Sequence, residues 1–158
     1  MSHINFEAKL TQEWGPVTDN IPAHKLNGNT QGFILAGNAT FTIENSRTGN
    51  RFTFKVVQPT ADHPHFVRVL TGSDNEADYT FLGTIFDGAN YRHGKRSPIG
   101  SQAQAARVFT WAWPKILAHT LPEEVEIYHA GTCGRCGRKL TVPESVLSGF
   151  GPECIKQI

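Results

Sequence analysis

The sequence has no long apolar run and little net charge. No stretch approaches the roughly 18 apolar residues that a membrane-spanning helix needs, and the first residues have neither the basic start nor the apolar core of a signal peptide. Charged residues make up 18% of the 158 residues, and the formal net charge is +1. Because such a chain has no global basic field, an argument for a nucleic-acid partner has to come from local clusters. We expect no membrane association and a cytoplasmic location.

Cysteine is also scarce, and its placement is informative. The three cysteines all lie near the C-terminal end, at positions 133, 136 and 154. An odd number cannot all form disulfides, and a clustered set in a chain with no export signal is typical of metal ligation. The sequence therefore favours a metal site in a reducing compartment over a disulfide framework.

Familiar catalytic motifs are missing as well. There is no Ser-His-Asp order, no P-loop and no dinucleotide-binding glycine run, and the carboxylates form no convincing pair. We therefore predict a protein that acts by binding, and an enzyme ranks third among our hypotheses.

Alternating apolar and polar residues predict an antiparallel sheet. One hairpin has a polar loop at 45–50, and a second crosses the acidic stretch 72–78. The residues Phe33 to Leu35 predict a further short strand. In total we expect four or five strands, with the clearest at 39–44, 52–56, 66–70 and 79–86.

A helix is predicted over residues 101–118, where apolar residues recur at helical spacing. Ser101 is a suitable N-cap, with Gln104 three residues on to complete a capping box. Pro114 is expected to kink or restart the helix. We assign Trp111 and Trp113 to the core rather than to a ligand site.

These elements define an α+β fold in which one main helix covers an antiparallel sheet. The predicted organisation has three parts, which are an irregular N-terminal arm at 1–30, an α+β body at 31–122 and a small zinc-binding module at 123–158.

The C-terminal residues carry a metal-ligand pattern. They read His129-x3-Cys133-x2-Cys136-x17-Cys154, which is the layout of a closed structural zinc site. Pro152 is suited to the first position of a helix, which would place Cys154 in the first helical turn. A cysteine knuckle, a loop and a ligand at a helix start predict a treble-clef-like zinc finger that binds Zn²⁺.

The fourth ligand is open. His129 is the leading candidate, and His119, a water molecule or a residue of a partner are the alternatives. A nucleobase deaminase would show His-x-Glu and Pro-Cys-x2-Cys, whereas Gly131 and Thr132 stand at the diagnostic positions here. The zinc is therefore predicted to be structural rather than catalytic, and a metal-free cysteine cluster is the remaining alternative.

The segment from Cys133 to Cys154 resembles a small domain of unknown function. Its signature is Cys-Gly-Arg-Cys-Gly-Arg-Lys-Leu-Thr-Val-Pro-Glu-Ser followed by Gly-Phe-Gly-Pro-Glu-Cys. That domain recurs in proteins encoded by bacteriophages, plasmids and bacteria, and Phe52 to Tyr79 is more weakly similar to phage proteins with this tail. The resemblance implies a mobile-element origin and a bacterial cytoplasm, but it implies no activity.

Local charge suggests where nucleic acid would bind. The stretch from Ala89 to Pro122 contains five Lys or Arg residues and no acid. Basic side chains of this kind can pair with phosphates, and an adjacent aromatic can stack on a base. The predicted DNA or RNA contacts are Arg92, Lys95 and Arg96 in a loop at 91–97, and Arg135, Arg138 and Lys139 in the finger. The simpler interpretations are that the loop is an ordinary solvated loop and that the finger arginines offset the charge of the thiolates.

The second functional hypothesis is a protein-binding inhibitor or adaptor, such as a phage factor that targets a host defence enzyme. Its motivation is the acidic hairpin tip Asp74 to Asp78, together with the polar arm. The tip lacks the ligand spacing of an EF-hand, so we read it as a charged turn rather than a cation site.

Overall fold

The computed structural model describes residues 24–26, 29–74, 77–140 and 148–157. Most of the predicted N-terminal arm and part of the acidic hairpin tip therefore lie outside the described residues. The strands are β1 (His24–Lys25), β2 (Asn38–Asn45), β3 (Arg51–Val57), β4 (His65–Leu70), β5 (Tyr79–Phe86), β6 (Asn90–His93) and β7 (Val125–His129). The helices are α1 (Thr30–Ile34), α2 (Gln104–Ala118) and a 3₁₀ helix at Cys154–Gln157.

The described strands form one antiparallel sheet in the order β1-β7-β2-β3-β4-β5-β6. Both predicted hairpins are confirmed, since β2 pairs with β3 and β4 pairs with β5. The sheet has seven described strands rather than the four or five expected from the sequence, because β1 and β7 extend it on one side of β2–β5 and β6 extends it on the other. Alternation along β2 and β3 gives the sheet an apolar, buried inner face and a polar opposite face, here called the open face. The open face is not exposed throughout, since Thr42 and Thr53 on it are buried and share a hydroxyl hydrogen bond of 2.7 Å.

Helix α2 covers the buried face, and aromatic rings fill the space beneath it. Phe109 lies 5.1 Å from Phe54 and 4.7 Å from Tyr91, measured between ring centroids. Trp113 stacks on Phe109 and donates its indole N–H to the Ala89 carbonyl at 2.8 Å. The predicted α+β arrangement of one main helix over an antiparallel sheet is confirmed.

Three details of α2 differ from the prediction. The N-cap residue is Ala103, with no side-chain cap hydrogen bond, so the capping box at Ser101 does not form. The helix runs on through Pro114 instead of restarting there. Trp113 is buried, but Trp111 is 41% exposed and does not belong to the core.

Helix α1 replaces the short strand predicted at Phe33 to Leu35. The Asn29 side chain accepts a hydrogen bond from the Gly32 N–H at 2.8 Å, which is the N-cap interaction that starts a helix. Phe33 and Ile34 point into the core. A run of apolar residues is compatible with a buried strand or a buried helix turn, and here the cap decides for the helix.

Strand β7 lies inside the sheet, between β1 and β2. The segment predicted as a separate C-terminal module therefore contributes a strand to the body, and its first cysteine follows only four residues after His129. Within the part of the chain that the structure describes, no helix has both the length and the apolar character needed to cross a membrane.

Candidate metal centre and basic surfaces

The three cysteines come together after β7. The Sγ atoms of Cys133, Cys136 and Cys154 all lie within 4.8 Å of one another. Thiolates bound tetrahedrally at about 2.3 Å from a zinc-sized ion are separated by about 3.8 Å. The group could therefore hold a metal ion with little rearrangement. All three cysteines are free of disulfides.

A tight knuckle presents the first two cysteines. The Gly137 N–H donates to the Cys133 carbonyl at 2.8 Å, and the Cys133 N–H donates to the Arg138 carbonyl at 2.8 Å. Gly137 has a φ of 81°, which a residue with a side chain rarely adopts. The backbone N–H groups of Arg135 and Cys136 point at the Cys133 Sγ, at 3.4 Å and 3.5 Å. This turn aims donors at a sulfur that needs negative charge to bind a metal.

The third cysteine begins the 3₁₀ helix Cys154–Gln157. The Ile155 N–H donates to the Gly151 carbonyl at 2.9 Å, which closes the turn that precedes this helix. The predicted helix start at the third ligand is confirmed in position, although the helix begins at Cys154 itself and not at Pro152. The structure does not by itself define a treble clef.

The surroundings act on the three thiols unequally. Burial raises the pKa of the Cys133 thiol, but hydrogen bonds from Cys136, Gly151 and Arg135 outweigh it and lower this pKa to about 7. Burial raises the pKa of the Cys154 thiol, against the opposing effect of the Arg135 guanidinium, whose Nη1 lies 3.7 Å from the Sγ. Of these two thiols, Cys133 is therefore the better prepared to bind as a thiolate.

The structure does not bring His129 into the group of three cysteines. Its side chain is buried on the inner face of β7, where the ring lies 5.8 Å from that of Phe33. Its Nδ1 accepts a hydrogen bond from the Gly131 N–H at 3.0 Å. The alternative ligand, His119, caps the C-terminal end of α2 and is exposed. The described residues therefore supply three ligands, and a fourth from His129 stays a prediction.

The cysteine knuckle is docked on the sheet through close backbone contacts. The Asn38 N–H at the start of β2 donates to the Gly134 carbonyl at 2.8 Å. The Gly134 N–H donates to the Gly149 carbonyl at 2.9 Å, which joins the knuckle to the segment that leads to the third cysteine. The Phe33 ring lies against both glycines and packs on Phe150 at 5.7 Å. Phe33 therefore connects the body to both parts of the metal centre.

The predicted basic loop is partly a strand. Arg92 belongs to β6 and is the cross-strand partner of Thr84 in β5, which places it on the open face of the sheet. Lys95 and Arg96 lie in the turn that follows β6. All three cations are exposed. Gly94 packs so closely on the Phe81 ring that an added Cβ would overlap it, so this turn lies beside the same face.

Two further cations lie on that face and were missed from the sequence. Lys55 of β3 and Arg68 of β4 are direct cross-strand partners, and Arg68 is in turn opposite Phe81 of β5. Within the described residues, neither Lys55 nor Arg68 forms an ion pair, although the Lys55 Nζ lies over the Tyr79 ring at 5.6 Å. Alternation alone places both on the polar face of their strands, but only the register makes them neighbours.

The finger cations and the acidic tip have more local roles. Arg135, Arg138 and Lys139 are exposed, as predicted for nucleic-acid contacts, but Arg135 already donates to the Cys154 sulfur. At the acidic tip, the Asp78 carboxylate accepts from the Asp74 N–H at 2.8 Å, and the Asp74 carboxylate accepts from the Ala77 N–H at 3.1 Å. These two carboxylates close the turn, as an ordinary charged hairpin requires.

A sequence profile for DUF6011, a family of unknown function, matches residues 125–158. The match covers β7, the knuckle and the third cysteine, and leaves the rest of the chain unmatched. No curated protein and no solved structure matches this chain.

Proposed function

We propose that this chain is a non-catalytic protein that binds nucleic acid and is stabilised by one structural Zn²⁺. The proposal for the partner is carried by one observation, the direct pairing of Lys55 with Arg68 on the open face of the sheet beside exposed Arg92, Lys95 and Arg96.

Three thiolates within reach of one another support zinc as the metal. Thiolate ligands select zinc over hard cations such as Mg²⁺ and Ca²⁺. A three-thiolate set with a fourth protein ligand is also a poor activator of water, which supports a structural role. When bound, the ion would hold the knuckle to the third cysteine. In the proposed treble clef, Cys133 and Cys136 occupy the knuckle and Cys154 the helix start.

The paired cations on the sheet support an external anion. Like charges directly opposite each other on neighbouring strands are destabilising. Lys55 and Arg68 hold this arrangement with no carboxylate paired to either among the described residues. A phosphate backbone lying across the face would neutralise both, and the half-exposed Phe81 would lie beside it. The finger residues Arg138 and Lys139 give a second candidate surface.

Salt-dependent binding tests this surface. Single-stranded and duplex DNA and RNA are titrated at several salt concentrations against the wild-type protein and two variants. One variant changes the exposed sheet cations Arg68, Arg92 and Lys95 to Gln, and the other changes Arg138 and Lys139 to Gln. If the sheet face contacts the backbone, the first variant should make the slope of log K against log salt shallower by about 2, since each lost phosphate contact contributes about 0.7 to 0.9.

The control is Lys156→Gln, which removes an exposed charge outside both surfaces. It should leave binding and slope unchanged. Absence of binding to all four nucleic acids, or a slope that neither Gln variant changes, would remove the proposal. A pull-down from bacterial lysate that survives nuclease treatment would instead support the protein-binding alternative. The C-terminal resemblance supports the further proposal that this partner, and the chain itself, belong to a phage-infected bacterial cytoplasm.

A further inference from the structure

A groove of about 770 Å³ opens on the buried side of the sheet, at the end where β2 turns into β3. It lies between this end of the sheet and the flank of α2, above inner-face residues that are themselves buried. The floor is apolar and formed by Ile43, Phe52 and Val125. A volume of this size, with an apolar floor, is typical of small-molecule sites.

An exposed tryptophan forms one wall of the groove. Trp111 lines it while remaining 41% exposed, and the Lys115 Nζ lies over its ring at 4.9 Å. Arg107 also lines the groove and is exposed, one helical turn before Trp111. The helix therefore presents a cation, an indole ring and a second cation in line along one flank.

Side-chain amides form the remaining polar lining. Asn45, Asn50, Gln102 and Gln104 all line the groove. The Asn45 side-chain oxygen already accepts from the backbone N–H groups of Arg47 and Thr48. Across the described part of the chain, no hydrogen bond involves the side-chain amide of the other three. Each amide offers both donors and an acceptor, which is the complement of the edge of a nucleobase.

The charge around the groove favours an anionic ligand. Helix α2 contains Arg107 and Lys115 and no acidic residue. Three acids adjoin the floor in sequence. Glu44 and Glu126 alternate with Ile43 and Ile127 along β2 and β7 and so lie on the opposite face of the sheet, and the Glu124 carboxylate is held by Arg47 at 3.5 Å. A free ligand phosphate at the rim would therefore meet unopposed positive charge at the helix.

We propose that this groove binds an unpaired nucleotide. The base stacks on Trp111 above the apolar floor, the amides of Asn50 and Gln104 hydrogen-bond its edge, and Arg107 pairs with its phosphate. The ligand is either a free nucleotide or one nucleotide of a single strand, since both offer this chemistry. The site goes beyond the proposed basic surface, because Lys55 and Arg68 lie on the opposite face of the sheet.

Tryptophan fluorescence provides the test. The wild-type protein is titrated with adenosine and uridine monophosphates, with the matching nucleosides, and with a short single-stranded oligonucleotide. We expect quenching by a nucleotide, a loss of affinity of about tenfold in Trp111→Leu, and near-normal affinity in Trp111→Phe, which keeps a stacking ring. Because both Trp111 variants lose the indole that reports binding, their affinities are measured by calorimetry.

The role of Arg107 is tested by comparing ligands with and without phosphate. Arg107→Gln should weaken binding of the monophosphates and leave binding of the nucleosides unchanged, and Lys156→Gln should alter neither. If mononucleotides bind as tightly as the oligonucleotide, the natural ligand is a free nucleotide. If only the oligonucleotide binds, the natural ligand is a nucleotide within a single strand.

No binding of either ligand, or binding that Trp111→Leu leaves unchanged, would overturn the proposal, as would occupancy of the groove by a protein partner. This result can be distinguished from a failure of the proposed nucleic-acid surface on the open face. The variant in which Arg68, Arg92 and Lys95 are changed to Gln should still bind mononucleotides in the groove.

Discussion

Replacement of Phe33 by Ala should both destabilise the protein and loosen the metal centre. The Phe33 side chain is 1% exposed and packs on Phe150 and His129. An added Cβ at Gly134 or Gly149 would come within 2.6 Å or 2.9 Å of its ring atoms, which shows how closely both glycines approach it. Its contacts therefore fall on the metal centre as well as on the sheet.

The expected cost of Phe33→Ala is about 3 to 5 kcal/mol of unfolding free energy, which is the usual range for a buried Phe replaced by Ala. A domain of this size has about 5 to 15 kcal/mol in total, so the variant should fold at low temperature but with a small margin. Phe109→Ala is the matched control. Phe109 is equally buried, but its ring contacts are Phe54, Tyr91 and Trp113, none of which belongs to the metal centre.

The assay combines urea unfolding with the rate at which a chelator removes the metal, measured below the unfolding transition of each variant. Both Ala variants should lose similar stability, but Phe33→Ala should release the metal several-fold faster. Phe33→Leu should lie between wild type and Phe33→Ala in both unfolding free energy and metal-release rate, because it keeps much of the apolar volume. Equal release rates in the two Ala variants would refute the idea that Phe33 couples the sheet to the metal centre.

The remaining predictions concern the metal, the knuckle and alkaline stability. Elemental analysis should find one zinc per chain, which Cys136→Ser should lose. The zinc content of His129→Gln tests the predicted fourth ligand: loss would identify His129 as that ligand, and retention would assign the fourth position to another group. Gly137→Ala should cost about 1 to 2 kcal/mol in thermal or urea unfolding because of its positive φ, whereas Gly100→Ala, with open space around its Cα, should be nearly neutral. Burial raises the pKa of Tyr79 to about 12, so its contribution to stability is fully present below pH 10 and falls as pH rises toward 12, by at most about 1.4 kcal/mol per pH unit. The pKa values of Tyr91 and Tyr128 are also raised, so Tyr79→Phe should make the fall in urea-derived stability over that window less steep without removing it, and an unchanged slope would contradict the assignment.

The hairpins could be predicted because each carries its own signal. In β2 and β3, apolar residues alternate with polar ones on both sides of a turn-forming loop, so pairing and register are local. Strands β1 and β6 could not be found in this way, because they are short and lie at the sheet's ends, where a neighbouring strand supplies the pairing. The exposure of Trp111 depends on how much of the α2 surface the sheet covers, and the spacing of apolar residues in the helix does not predict this.

The metal centre was predictable in part for a similar reason. Cys133 and Cys136 are close in sequence, and a Cys-x2-Cys turn brings them together whatever surrounds it. The place of Cys154 follows from a helix-start signal, which the structure bears out. The position of His129 depends instead on tertiary packing, since alternation along β7 sends its ring into the core against Phe33. Lys55 and Arg68 were missed because their proximity depends on the β3–β4 register.

The cysteine group and the sheet are one structural unit, and this defines what a bound ion would hold together. The knuckle follows directly from β7, a strand with neighbours on both sides, so Cys133 and Cys136 are positioned by the sheet. Cys154 is separated from Cys136 by 17 residues, and the described contacts near its end include the Gly134–Gly149 hydrogen bond and the packing of Phe150 on Phe33. An ion bound to all three sulfurs would close that loop, and loop closure of this length removes several conformational degrees of freedom at once. The metal would therefore join Cys154 to a knuckle that the sheet already positions, whereas the core of the sheet lies under α2 and does not depend on the ion.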